Sequence, residues 1–205
     1  MKLHTSLRAP NPRRVDMFLA EKNITGIERE LYDLNAGAQR SARFTAMNPV
    51  ARVPVLELDD GRFLAESRAI CSYLESLYPD PNLMGVDAEE RAFIEMADRQ
   101  VEHTLLAAVA NHVRHSHPGL LPLENPQFAD FAAEQGKRMV WAAGLFNDLL
   151  SRREWLAGDR FTIADITAFC GLEFARLVKF RPADAGLPHL AEWRERVASR
   201  PSASV

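Results

Sequence analysis

The chain has 205 residues, 47% of them hydrophobic and 26% charged, with a formal net charge of −3. That length can bury a sizeable core in one large or two small domains, and the balance is that of an ordinary globular chain. A faintly acidic sequence without a concentrated basic face argues against nucleic acid or a membrane surface as partner, and without an apolar leader or a spanning stretch the expected location is cytoplasmic.

Residues 2–6 read as a short strand. Asn11-Pro12 then opens a helix, Asn being a favoured N-cap and Pro a favoured first helical residue. Val15, Phe18 and Leu19 share one face of it, with Lys22 at its end. Residues 27–34 read as a second strand with Ile27 and Leu31 on one face, and the polar residues 35–48 as a loop with a helical turn.

Val53-Pro54 begins the most informative stretch. Val55, Leu56 and Leu58 are dense in strand formers, and Asp60-Gly61 favours a tight hairpin in which both central residues take positive φ. Phe63 and Leu64 return as a second short strand. A proline cannot donate to a ladder, so Pro54 at the strand's first position leaves the preceding backbone free to pair elsewhere. Glu66-Ser67 then starts a helical pattern in which Ile70, Tyr73, Leu74 and Leu77 fall on one face. Ser67 has two readings. It is an N-cap worth roughly 1 kcal/mol, or it joins the unpaired N–H groups of the helix start in holding a carboxylate or phosphate.

Arg52-Val53-Pro54 followed by Glu66-Ser67 resembles the glutathione site of the cytosolic glutathione transferases, and the likeness extends over nearly the whole chain. The resemblance implies a cis Val53-Pro54 bond and backbone pairing of Val53 with the cysteinyl part of glutathione. It implies that Glu66 and Ser67 hold the γ-glutamyl end. It also implies the fold class, α/β plus all-α: an N-terminal thioredoxin-like domain followed by an all-helical C-terminal domain. The element order β-α-β-(α)-β-β-α permits that topology.

Tyr78-Pro79-Asp80-Pro81-Asn82 breaks the pattern, since two prolines in three residues stop a helix. The expected domains are 1–78 and 87–205, joined by a linker at 79–86. Asp87 and Glu90 start a long helix running to about His115, with Phe93, Met96, Ala97, Val101, Thr104, Leu105, Ala108, Val109, His112 and Val113 on its apolar stripe. Asn125-Pro126 opens the next, with Phe128, Phe131, Met139 and Phe146 on or near one face and Gly136 weakening its middle. Thr162 and Asp165 form a capping pair resembling that of the transferase helical domain, a folding device rather than a catalytic one. Leu190, Trp193 and Val197 mark a final helix.

Cys71 and Cys170 are the two cysteines, far apart and outside any CxxC pair. A dithiol mechanism and a cysteine zinc site are disfavoured, and each thiol reads as a small buried hydrophobe. His112, His115 and His117 lack Asp, Glu or Cys at ligand spacing, so no metal is expected.

A transferase of this family makes the glutathione thiol a thiolate, and a hydroxyl near the first helix commonly donates to it. The resemblance places that position at Ala9, which has no hydroxyl. Asn11 matches the asparagine that nu-class and related transferases set beside the sulfur, and its amide can donate; it reads equally as a plain N-cap. Ser6 and Thr5 are the other candidates, while Tyr32, Tyr73 and Tyr78 are misplaced for the role. Arg52 is the expected partner of the glycyl carboxylate, with Gln39 and Arg40 as alternatives or as solvated surface. Asp98 and Arg99 lie where the family reaches across a dimer. The resemblance implies a homodimer that binds glutathione as co-substrate and conjugates it to a small electrophile. The alternatives are a glutathione-dependent disulfide or peroxide reductase of nu-class type, and a non-catalytic binding module, for which Ala9 is the argument.

Overall fold

The computed structural model describes residues 1–7 and 9–205. They form two units, Met1–Pro81 with Val205, and Asn82–Ser204.

The first unit is built on a four-stranded mixed sheet in the order β2-β1-β3-β4. β1 (Lys2–Thr5) runs parallel to β2 (Glu28–Leu31) and antiparallel to β3 (Val55–Glu57), which pairs antiparallel with β4 (Phe63–Ala65). Leu3 on β1 faces Leu56 on β3 and both are fully buried, with Val15, Phe18, Ile70, Cys71 and Leu74 of the adjoining helices also in the core. On β1 the alternate residue, His4, points with Tyr32, Glu30 and Glu57 to a polar cluster: its ring meets Tyr32 Oη at 3.2 Å and Glu57 Oε2 at 3.0 Å. Beside it Tyr32 packs edge-on against Phe44, the anchor of the short helix α2 (Ala42–Met47). α2 is capped by Ser41, whose side chain accepts from Phe44 N–H.

Three local expectations need correction here. The first helix, α1 (Pro10–Glu21), starts two residues earlier than expected, with Ala9 at the N-cap and Pro10 at the first position. Asn11 is therefore inside the first turn and is not the cap. β2 is a short edge strand with Leu31 57% exposed, because an edge with one free side buries little. In the hairpin only Gly61 takes positive φ, at 83°. Leu58 N–H bonds Arg62 O and Gly61 N–H bonds Leu58 O, so the connection is a three-residue loop with glycine at the left-handed position.

α3 (Ser67–Leu77) closes the unit. Lys22, at the end of α1, secures the exit of α3: its ammonium donates to Tyr78 O and Pro81 O at 2.7 Å each and pairs with Glu75 at 2.6 Å.

The second unit is helical. α4 (Ala88–Gln100) continues through a π-helical turn (Val101–Leu106) into α5 (Ala107–Ser116). The wide turn adds a residue to the repeat, so no single 3.6-residue stripe carries through. The buried face is Ile94, Ala97, Asp98, Val101, Leu105, Val109 and Val113, whereas Phe93 and Met96, expected on it, are about half exposed. α6 (Ala129–Leu150) begins after Asn125-Pro126 rather than at it. Gln127 explains the delay, its amide tying Arg114 O at 2.6 Å and His117 O at 2.9 Å. Phe128 and Phe131 are exposed rather than core, the first tilted against the His115 ring and the second edge-on to it. Gly136 has a use: an added Cβ would sit 3.1 Å from the His112 ring.

α7 (Ile163–Ala175) is the central helix, buried on nearly every side, and α8 (Pro188–Ala198) follows it. Asp165 reaches back to Thr162 N–H at 3.0 Å and also accepts from Leu156 N–H at 3.0 Å and Trp193 Nε1 at 2.9 Å. Burial pushes its carboxyl up to about 6, although these donors pull the other way. Its work is to join three segments of the unit. Among the described residues no helix is long and apolar enough to cross a membrane.

Candidate functional site

A cleft of about 180 Å³ opens in the first unit. Asn11, Asn48, Val50, Arg52, Val53, Pro54, Glu66 and Ser67 line it. Each of these comes from an end of an element: the first turn of α1, the loop after α2, the approach to β3, and the start of α3.

The loop from Asn48 to Arg52 is held by one side chain. Asn48 Oδ1 accepts from Val50 N–H at 3.1 Å and Nδ2 donates to Arg52 O at 2.8 Å. Ala51 takes φ 55°, which an L residue holds only when its surroundings impose it. This local turn sets Val53 beside the cleft. The Val53-Pro54 bond is cis. The β3 ladder starts at Val55, so Val53 precedes it, and the Val53 N–H and C=O make no backbone hydrogen bond among the described residues.

Opposite it, Glu66 takes φ 69° at the N-cap of α3 and makes no side-chain capping bond. The strained backbone costs about 1–2 kcal/mol. It leaves the first-turn N–H groups of α3 facing the cleft instead of a cap. Ser67 follows, 4% exposed, and its Oγ accepts from Arg14 Nη1 at 3.0 Å. Arg52 and Glu66 have no ion-pair partner among the described residues, so the cleft presents one open cation and one open anion.

The start of α1 is unusual in its donors. Pro10 and Pro12 have no N–H, and Arg13 N–H already bonds Ala9 O at 3.1 Å. The partial positive charge of this helix end therefore acts through Asn11 alone, by its backbone N–H and its side-chain amide.

The structure thus gathers Asn11, Arg52, Val53, Pro54, Glu66 and Ser67 and leaves four of the expected residues apart. Ser6, just past β1, is buried and does not line the cleft. Gln39 is 5% exposed rather than solvated, and its Oε1 has no partner among the described residues; it too is outside the lining. Asp98 has no exposed surface, its carboxylate held by the Thr167 hydroxyl and by Arg99. A wholly buried side chain cannot reach a second copy of the chain. Arg99 is engaged by Asp98, Glu95 and Glu102, and a third of its side chain is exposed. Tyr32 does not line the cleft: its hydroxyl donates to Glu30 at 2.9 Å, and burial with that bond raises its pKa. Asn48, Val50 and Arg14 were not anticipated. The first is foreshadowed only by its place before Pro-containing loop residues, and Arg14 by nothing local.

The chain is similar to known proteins along its length. Residues 9–77 match the model of the glutathione S-transferase N-terminal domain and residues 105–201 that of its C-terminal domain. Glutathione S-transferase 2 of Saccharomyces cerevisiae is 35% identical over 98% of this chain and 87% of its own. The crystal structure of Gtt2 from Saccharomyces cerevisiae has a TM-score of 0.93 at 34% identity, covering 100% of this chain and 99% of that one. A glutathione S-transferase domain-containing protein of Marinobacter aquaeolei has a TM-score of 0.89 at 40% identity, covering 98% and 99%. Matched by both domain models and by a relative 35% identical over nearly its whole length, the chain belongs to the glutathione S-transferase family.

Proposed function

We propose that this chain is a glutathione transferase that binds glutathione in the described cleft and conjugates its sulfur to small electrophiles. The carrying observation is the convergence of Asn11, Arg52, Val53, Pro54, Glu66 and Ser67 on one cleft. The extended backbone of the tripeptide pairs with the free N–H and C=O of Val53. Ser67 and the first-turn N–H groups of α3 take the γ-glutamyl carboxylate, and Glu66, being anionic, takes the adjacent ammonium. Arg52 takes the glycyl carboxylate as a charge-assisted pair.

Asn11 is the thiolate partner. A free thiol titrates near 8.5, and each unit of depression needs about 1.4 kcal/mol of preference for the anion. A helix start contributes about 0.3–1 kcal/mol, and two donors on one residue add to it. Electron density then leaves the sulfur for the electrophilic carbon as the new C–S bond forms and the leaving group departs with its pair.

The domains in this reading are 1–78, which binds glutathione, a linker at 79–86, and 87–205, the helical domain. Family likeness supports a cytoplasmic homodimer, with Arg99 rather than Asp98 as the residue able to reach the neighbouring copy; light scattering checks the dimer. Ala9 at the N-cap, without a capping side chain, favours one rival, a binding module that does not turn over.

Calorimetric titration with glutathione tests the site, and turnover of an aryl halide tests the reaction. Saturable binding in the micromolar to low millimolar range with conjugate formation supports the reading. Binding without conjugation, restored by Ala9→Ser, supports the rival.

A further inference from the structure

Arg14 is 1% exposed, placed on α1 with its guanidinium against the start of α3. Nη1 donates to Ser67 Oγ at 3.0 Å. The two residues are 53 positions apart in sequence, so only the packing of α1 on α3 joins them.

A serine hydroxyl is one donor and two acceptor lone pairs. Arginine can only donate, so Ser67 is forced into the acceptor role toward the core. Its own hydrogen must point elsewhere, and among the described residues it has no acceptor. Ser67 lines the cleft, so the free direction is into it. Without Arg14 the hydroxyl would be free to rotate between donor and acceptor roles, and an orientation that turns a lone pair toward a carboxylate opposes it. The guanidinium also stays protonated at any working pH.

We propose that Arg14 is a positioning residue for the cleft: by donating to Ser67 it commits that hydroxyl to donate outward, and so selects a ligand bearing a carboxylate at the start of α3. This rests on the glutathione reading of the cleft and deepens it. Arg14 touches no ligand itself; it acts through Ser67.

The test compares dissociation constants for glutathione and for its analogue lacking the γ-glutamyl α-carboxylate. Four proteins are measured by calorimetry: the natural chain, Arg14→Gln, Ser67→Ala and the double variant. Gln keeps a donor of lesser reach and removes the charge. Arg14→Lys, which keeps the charge and a donor, is the milder change should Arg14→Gln fold poorly, and circular dichroism with a thermal melt establishes which variants are folded.

The expected result is about tenfold discrimination by the natural chain in favour of glutathione over the analogue. Arg14→Gln reduces it to within about threefold, Arg14→Lys retains most of it, and Arg14→Gln adds no further loss in the Ser67→Ala background. A purely structural role for Arg14 would weaken both ligands alike and add in full to Ser67→Ala, and either outcome overturns the proposal. If the natural chain discriminates while Arg14→Gln, or Ser67→Ala where Arg14→Gln does not fold, discriminates equally well, the inference falls and the glutathione reading stands. If the natural chain binds neither ligand at millimolar concentration, both fall.

Discussion

Two helix starts in this chain solve the same problem in opposite ways. Each helix begins with backbone N–H groups that lack an intrahelical partner. At α7 the chain supplies the partner itself: Asp165 satisfies Thr162 N–H and, with its other oxygen, Leu156 N–H and the Trp193 ring. At α3 the chain withholds it: Glu66 holds a positive φ, makes no capping bond, and the donors face a cleft. The first arrangement makes a folding joint, and in the proposed function the second receives the carboxylate of the ligand. A carboxylate is the right chemistry at both, and what differs is whether it belongs to the protein.

The largest effect that separates them is on stability. Asp165→Ala leaves buried donors from three segments without an acceptor, and chemical denaturation is expected to show a loss of about 3–5 kcal/mol or a failure to fold. Ser67→Ala takes the acceptor from a single buried donor, Arg14 Nη1, so it should cost about 1–3 kcal/mol of stability, less than Asp165→Ala, and should weaken glutathione binding by about 1–3 kcal/mol. A Ser67→Ala protein as unstable as Asp165→Ala would erase the contrast.

The pH dependence sharpens it from the other side. Burial raises Asp165 in the folded chain to about 6, from an ordinary 3.8. A raised folded pKa binds its proton more tightly than the unfolded chain does. Its contribution is therefore full below about pH 4, declines as pH rises to about 6, and is level above. The span is worth up to about 3 kcal/mol. Glu173 runs the opposite way: burial alone would raise it, but Arg194 and Arg176 hold it low, so its contribution is lost as pH falls. The stability of Asp165→Asn relative to the natural chain, measured at pH 4.5 and pH 7, should shift in favour of the variant at the higher pH. A flat difference would show that the donors keep Asp165 ionised throughout.

The smallest effect tests the α1 start. Asn11→Ala should raise the apparent pKa of bound glutathione by about one unit, read from the pH dependence of kcat/KM, with little change in glutathione affinity. An unchanged profile would remove Asn11 from the chemistry.

Much of the cleft is legible along the chain because its parts are short and contiguous. Val53-Pro54 announces a break before a strand, and Glu66-Ser67 announces a helix start; both are local backbone chemistry. The capping pair at Thr162 and Asp165 is legible for the same reason, three residues apart on one turn. Asn11 is recognisable as a donor by its type, whereas the N-cap lies two residues before it, at Ala9, because Pro10 and Pro12 are both acceptable first residues of a helix.

The rest depends on distance. Asp98 and Gln39 look like solvated charge and amide in sequence, and packing buries both. Phe93 and Met96 fall on a stripe of ideal period, and a π-helical turn rotates the face that is buried. Arg14 carries no local signal, and only the meeting of α1 with α3 puts it on Ser67. The amino-acid order by itself determined where the backbone breaks, turns and starts its helices, since those follow from proline, glycine and short polar side chains acting within a few residues. Tertiary structure alone decided which charges are buried and which donors remain open to a ligand, because a side chain's partner across 50 residues is chosen by packing and not by its neighbours in the chain.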